Sequence, residues 1–390
     1  MNTQRAWLWF MIAAAPTAWA QENSPATVDP VLTNFREYRA ALERNDLPAA
    51  ETAAAAALAA SEASQGRRTA ILAFNLANLR LELTGTYDAL SPARTAHSLA
   101  LAAPDAGVDP LAAALTLGRA EIAAGDAAGA ERLLAAFTAE GAGSLETDVY
   151  NAAVELGLWG ITAQQYLAAR QAWATAARLA HTTDNPTFAR ARALTGEGAA
   201  IFLYGSDREV PVAQSEARAL QVGTPDTQAA NDAFAEAQRL LMPIALADDV
   251  GPELTVAGIA YAQAMAWQSA LFAKLQNNDQ QLPSTTRSSD GALDNVRGAY
   301  CELRTIVDPQ PVYPQETLER YGVGAVVVHL GLDTGGAVVS RTIAAAIPSG
   351  PLADAVEAVV DQWRVEKDPA SPADCRMPSS WFTRVRFVLE

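Results

Sequence analysis

The spacing of apolar residues changes along the chain. From about residue 30 to residue 275, Ala-rich segments with apolar residues at helical spacing alternate with Gly, Asp, Asn and Pro, which predicts successive α-helices. Beyond residue 291 the pattern changes to period two, with Val326, Val328, Leu330 and Leu332 alternating with other residues, which predicts β-strands. The sequence therefore predicts an all-α domain, 30–275, and a small α+β domain, 292–390, joined by a polar linker, 276–291.

The predicted helices contain a recurring phrase. In four segments a turn is followed by an Ala that begins a second helix, and Ala49, Ala89, Ala130 and Ala169 lie 40, 41 and 39 residues apart. Such a period is typical of stacked helix pairs, in which only a small side chain fits where the two helices cross closely. The phrase resembles the tetratricopeptide repeat, although the spacing is longer; an Ala-rich bundle without true repeats is the alternative. Further helices are predicted over 186–204, 229–247 and 254–275.

The last part of the chain predicts a hairpin, a helix and a closing strand. Alternating apolar residues lead into the turn Asp333-Thr334-Gly335-Gly336, and a second strand over 337–343 folds back from it. A helix over 350–364 has apolar residues at helical spacing, so one of its faces packs on the hairpin. The closing strand, 382–389, has apolar residues on one face and Arg384 and Arg386 on the other.

This order of elements resembles the C-terminal domain of TonB, over residues 311–390. The matching features agree in order and spacing: Tyr313-Pro314, Gly322, Gly324, Asp333, Gly335-Gly336, Val338, Leu352, Ala355, Val359, Trp363, Val385, Phe387 and Leu389. The resemblance implies an antiparallel sheet against helices and a partner that adds an extended segment to the sheet edge. In TonB that partner is the TonB box of an outer-membrane receptor.

By this resemblance the edge strand with Arg384, Arg386 and Val388 would bind a TonB-dependent receptor. The two arginines would select the partner by charge, or they are a solvated strand face that discourages aggregation. The helical repeats would bind a second protein, and in a homodimer a neighbouring copy would cover the sheet edge.

The first residues are typical of an export signal. A weakly basic start, an apolar run over residues 6–15 and small residues at Ala18 and Ala20 predict a signal peptide, 1–20, and a periplasmic protein. An uncleaved anchor helix is the alternative, and it would leave the protein associated with the membrane. The long Pro-rich rod of an energy transducer is not evident in the sequence.

The net charge limits the class of partner that is expected, and the cysteine content predicts a disulfide. The net charge of −16 and the pI of about 4.7 argue against a nucleic-acid partner, because an acidic surface repels phosphates. Two cysteines, Cys301 and Cys375, are predicted to form a disulfide in an oxidising compartment. Two separate buried thiols are the alternative.

No catalytic, cofactor-binding or metal-binding set emerges from the sequence. Asp333-Thr334-Gly335 matches the aspartic protease triplet but occurs once, and a hairpin turn explains it. His97, His181 and His329 fall on different predicted elements, so no metal or nucleophile pair is indicated. The leading hypothesis is a non-enzymatic periplasmic binding protein without cofactors, acting in outer-membrane transport or envelope organisation. The alternatives are a membrane-anchored TonB-type transducer and a periplasmic hydrolase.

Overall fold

The chain is mostly helical, with a small antiparallel two-sheet region at its C-terminal end. The computed structural model describes residues 29–61, 66–83, 88–103, 107–207, 225–246, 253–277, 300–301, 303–307, 309–315, 323–369, 371–372 and 374–388. The chain divides after residue 156 into two compact units: unit 1 is 1–156 and unit 2 is 157–390.

Unit 1 consists of consecutive helices joined by short turns. They are α1 (Pro30–Glu43), α2 (Leu47–Ser61), α3 (Arg67–Glu82), α4 (Leu90–Ala102), α5 (Pro110–Ala123), α6 (Ala128–Phe137) and the greater part of α7 (Glu146–Thr162). Asp29 and Asp109 cap α1 and α5, each followed by a proline whose missing N–H suits the first helical position. The Asp109 carboxylate, for example, accepts the Leu111 N–H at 2.7 Å.

Unit 2 continues with α8 (Tyr166–Leu179), α9 (Pro186–Asp207), α10 (Pro225–Ala245) and α11 (Val256–Asn277). At one of the four predicted crossings the helices lie close together, because a Cβ added at Gly160 would lie 2.9 Å from the Cβ of Ala169. The assignment of the helices to a repeat family stays a prediction. The large side chain of Trp173 is buried and lies against Gly157 of α7 and Gly196 of α9. It fits there because neither glycine has a Cβ atom.

The sheets complete unit 2. The elements are β1 (Leu303–Ile306), β2 (Gly324–Leu332), β3 (Val338–Ile347), α12 (Pro351–Val360), β4 (Arg364–Lys367) and β5 (Ser380–Phe387). A three-stranded antiparallel sheet has the order β3-β2-β5, and β1 pairs with β4 in a second sheet. The predicted hairpin, helix and closing strand are confirmed with shifted ends, whereas β1 and β4 were not predicted.

Both faces of the three-stranded sheet are covered. On one face Val326, Val328 and Leu330 pack with α12 and Trp363. On the other face Val327 and Phe382 pack with α10 and α11. Consequently β2 is buried along its whole length, as the central strand of a two-sided layer should be.

Several expectations fall outside the described residues: the signal peptide 1–20, the linker apart from 276–277, and the matching residues Gly322 and Leu389. Within the described ranges, the helices are all too short or too polar to span a membrane.

Candidate functional site

Strand β3 is an outer strand of the sheet, and its backbone direction follows from the pairing of β2. The Leu332 N–H donates to the Ser379 carbonyl oxygen at 2.9 Å, and the β2–β5 register runs without a shift. In β2, Leu332 and every second residue before it therefore direct their N–H and C=O groups toward β5; this is the first set. The residues between them direct these groups toward β3. The β3 residues opposite the first set turn their backbone groups away from the sheet; they are Val338, Arg341, Ile343 and Ala346.

This outer edge of β3 is long and almost without charge. The strand has ten residues, of which Arg341 is the one charged residue, and the Val339 side chain is 56% exposed. Among the described strands, β3 pairs with β2 alone. Outer strands in soluble proteins are usually protected by several charges, by prolines or by a covering element. An edge with this composition can accept the backbone of another extended segment.

The predicted binding residues lie on the opposite outer strand, β5. Arg384 is opposite Val327 and Arg386 is opposite Ala325. Both side chains therefore lie on the same sheet face as Phe382, which packs on α11. The two arginine side chains are exposed, and Val388, just after β5, is half-buried. Their role in binding stays a prediction.

Arg341 is a candidate site residue that the sequence interpretation did not include. Its side chain is half-buried on the α12 face of the sheet, and Nη2 donates to the Trp363 carbonyl oxygen at 3.3 Å. The Nε atom is buried and has no hydrogen-bond partner among the described residues. No carboxylate of the described ranges forms an ion pair with this guanidinium. A single charge in an otherwise uncharged strand was the available sequence signal.

His329 of β2 belongs to the packed core between the sheet and α11. It is 1% exposed, and Nε2 lies 3.0 Å from the Ser380 hydroxyl oxygen. The centroid of its ring lies 5.0 Å from that of Phe382, and the Phe382 centroid lies 5.2 Å from that of Tyr261 of α11. Burial lowers the pKa of His329 to about 4, so the imidazole is neutral near pH 7. Its surroundings are those of a structural residue.

Asp333 closes the hairpin. Its carboxylate accepts the Gly335 N–H at 2.9 Å and the Ala337 N–H at 2.8 Å, and Gly336 adopts a positive φ of 86°. These bonds hold one carboxylate oxygen to the turn backbone. The predicted turn is confirmed, and its geometry offers no support for the protease reading of Asp333-Thr334-Gly335.

The predicted disulfide is confirmed. Cys301 and Cys375 are bonded, with their Cα atoms 4.8 Å apart. The Cys301 N–H also donates to the Arg376 carbonyl oxygen at 2.8 Å. The bond therefore fastens the segment before β1 to the loop that leads into β5, and it ties the two sheets together at one end.

In unit 1 a separate cluster of charges surrounds Arg119 of α5. The guanidinium donates to the two carboxylate oxygens of Glu155 at 2.7 and 2.6 Å, and it lies 3.6 Å from Glu82. Burial raises the pKa of Asp148 to about 6, although the positive charge of Arg119 opposes that rise. Because three carboxylates share one arginine, the cluster is acidic, in agreement with the negative charge of the chain.

Comparisons with known proteins add no assignment. No protein-family model matches the chain. A search of curated proteins also finds no match.

Proposed function

We propose that this chain is a non-enzymatic binding protein of the bacterial periplasm that takes an extended segment of a partner protein as an added strand. In this proposal the C-terminal sheet is TonB-like, and the preceding helices are tetratricopeptide-like repeats that bind a second protein. The site of addition is the outer edge of β3. The exposed arginines of β5 form the alternative edge.

The observation that carries this proposal is the outward backbone of β3. Four residues turn their N–H and C=O groups away from β2: Val338, Arg341, Ile343 and Ala346. Both faces of the sheet are already occupied by α11 and α12. The edge is therefore the part of the sheet that can gain a partner without displacing its own helices.

The partner is expected to be a protein and not a nucleic acid, because the net charge is −16. Main-chain hydrogen bonds would supply much of the affinity, and side chains beside the added strand would supply the selectivity. The resemblance to TonB suggests a segment of an outer-membrane receptor. Energy transduction would require that residues 1–20 remain as an anchor, and the intact mass of protein from periplasmic and membrane fractions tests that alternative.

Hydrogen exchange of the whole protein, followed by mass spectrometry, tests the proposal. The probe is the extended peptide acetyl-Thr-Val-Glu-Val-Thr-Val-amide. Exchange should slow in 338–347 and stay unchanged in 380–387. Slowing in 380–387 alone would move the site to Arg384 and Arg386, and no slowing in either strand would overturn strand addition to this sheet for an extended segment of this kind.

A proline substitution provides the matched comparison. Ala346→Pro removes one outward N–H without removing a bond to β2, so the peptide should lose protection of 338–347 while the fold is retained. Val312→Pro introduces the same residue at an exposed position outside the strands and should leave peptide binding unchanged. Circular dichroism and the melting temperature of each variant show whether the fold is intact.

A further inference from the structure

The guanidinium of Arg341, near the proposed edge, has fewer hydrogen-bond partners among the described residues than its donors could use. It lies on the α12 face of the sheet, with Leu330 of β2 directly opposite. Its hydrogen bond to the Trp363 carbonyl uses Nη2, and Nε is buried without a partner in the described ranges. A partly buried cation is costly unless a carboxylate or several acceptors compensate it.

Arg304 provides a contrast to Arg341 within unit 2. Arg304 of β1 lies 3.3 Å from Glu366 on the neighbouring strand β4. Arg341 has no such cross-strand carboxylate, because its neighbour in β2 is Leu330 and its other side is the open edge. The position where a counterion would be expected is therefore the strand that would pair with β3.

We propose that the segment added to β3 carries an aspartate or glutamate beside Arg341, so that this arginine selects acidic extended segments. This inference rests on the proposed function. A side chain on the α12 face of the added strand would be a direct cross-strand neighbour of Arg341. Its carboxylate would accept hydrogen bonds from the guanidinium fork, whose planar donors match a carboxylate geometrically.

The remaining edge residues are consistent with this selection. The other nine residues of β3 are uncharged, so an added segment meets one electrostatic determinant, at the fourth of the ten residues. An acidic residue at the matching position would fix the register of the added strand, because a shift by one residue would move it to the other face of the sheet.

The test uses the full-length protein and two labelled peptides, acetyl-Thr-Val-Glu-Val-Thr-Val-amide and the same peptide with Lys in place of Glu. Fluorescence anisotropy gives the affinities at low salt. We expect the Glu peptide to bind the native protein about tenfold more tightly than the Lys peptide, the size of one charge-assisted hydrogen bond. Arg341→Gln should abolish the preference, and Arg341→Glu should reverse it.

Arg386→Glu is the matched control, since it makes the same change of charge on the other outer strand and should leave the preference for the Glu peptide intact. Two failures are distinguishable. If both peptides protect 338–347 from exchange and bind equally well, strand addition holds and the role of Arg341 is overturned. If neither peptide protects 338–347, both the proposed function and this inference are overturned. A preference that disappears with Arg386→Glu instead would assign the selection to β5.

Discussion

Acidification should loosen the packing of the sheet on α11 through His329. The side chain is 1% exposed, its Nδ1 has no partner among the described residues, and burial lowers its pKa from 6.5 to about 4. The unfolded chain binds a proton near pH 6.5, whereas the folded protein resists protonation until about pH 4. The free energy of unfolding therefore falls as the pH drops through this window, and the contribution is constant above it.

The magnitude follows from the difference in pKa. Each pKa unit corresponds to 1.36 kcal/mol, so the full loss from His329 is about 3 kcal/mol below pH 4, with about 2 kcal/mol already lost at pH 5. Other groups also titrate in this range. The effect of His329 is consequently measured as a difference between the native protein and a variant that cannot titrate at this position.

Urea unfolding at pH 7 and pH 5, followed by circular dichroism, provides the assay. We expect His329→Phe to lose about 2 kcal/mol less stability between the two pH values than the native protein. His329→Gln, which retains a polar group facing Ser380, should behave like His329→Phe in its pH dependence. Equal losses in all three proteins would refute the reasoning, because the titrating group would then lie elsewhere.

Two further predictions concern packing and covalent structure. Gly196→Ala should lower the melting temperature, because an added methyl collides with Trp173 and overpacking costs about 1–3 kcal/mol against a helix-propensity gain of about 1 kcal/mol. Adding Trp173→Phe to the Gly196→Ala variant should recover part of the lost stability. Gly143→Ala is the control and should change the melting temperature little, because nothing lies within 4 Å of a Cβ added there. A higher melting temperature for Gly196→Ala would contradict the close contact. Replacing Cys301 and Cys375 by serine should cost about 4 kcal/mol, since the bond closes a loop of 74 residues. The same urea denaturation measures it, and an unchanged midpoint under non-reducing conditions would disprove it.

The helices were the most predictable part of the chain. The predicted segments 186–204 and 254–275 correspond to α9 (Pro186–Asp207) and α11 (Val256–Asn277). Local signals fix such elements, because capping residues, prolines and apolar spacing act within a few residues. The hairpin at Asp333 was predictable for the same reason. The short strands β1 and β4 were missed, because each has four residues and depends on a partner about sixty residues away in the chain.

The candidate site was also predictable only in part. The sequence indicated an edge strand and selected the arginines of β5, whose alternation with apolar residues is a local pattern. Arg341 was overlooked, since its significance depends on what surrounds it. A carboxylate could have been its neighbour in β2, and the register places Leu330 there instead.

The sequence by itself predicted most of the helices, the hairpin with its turn at Asp333, the closing strand, and the disulfide between the two cysteines. These follow from local periodicity, from turn chemistry and from having one possible partner. The tertiary structure alone decided that α11 covers the second face of the sheet, that Trp173 lies against two glycines, and that the backbone of β3 faces outward. Each of these depends on which distant surfaces meet, and a pattern of apolar residues states that a face is buried without stating what buries it.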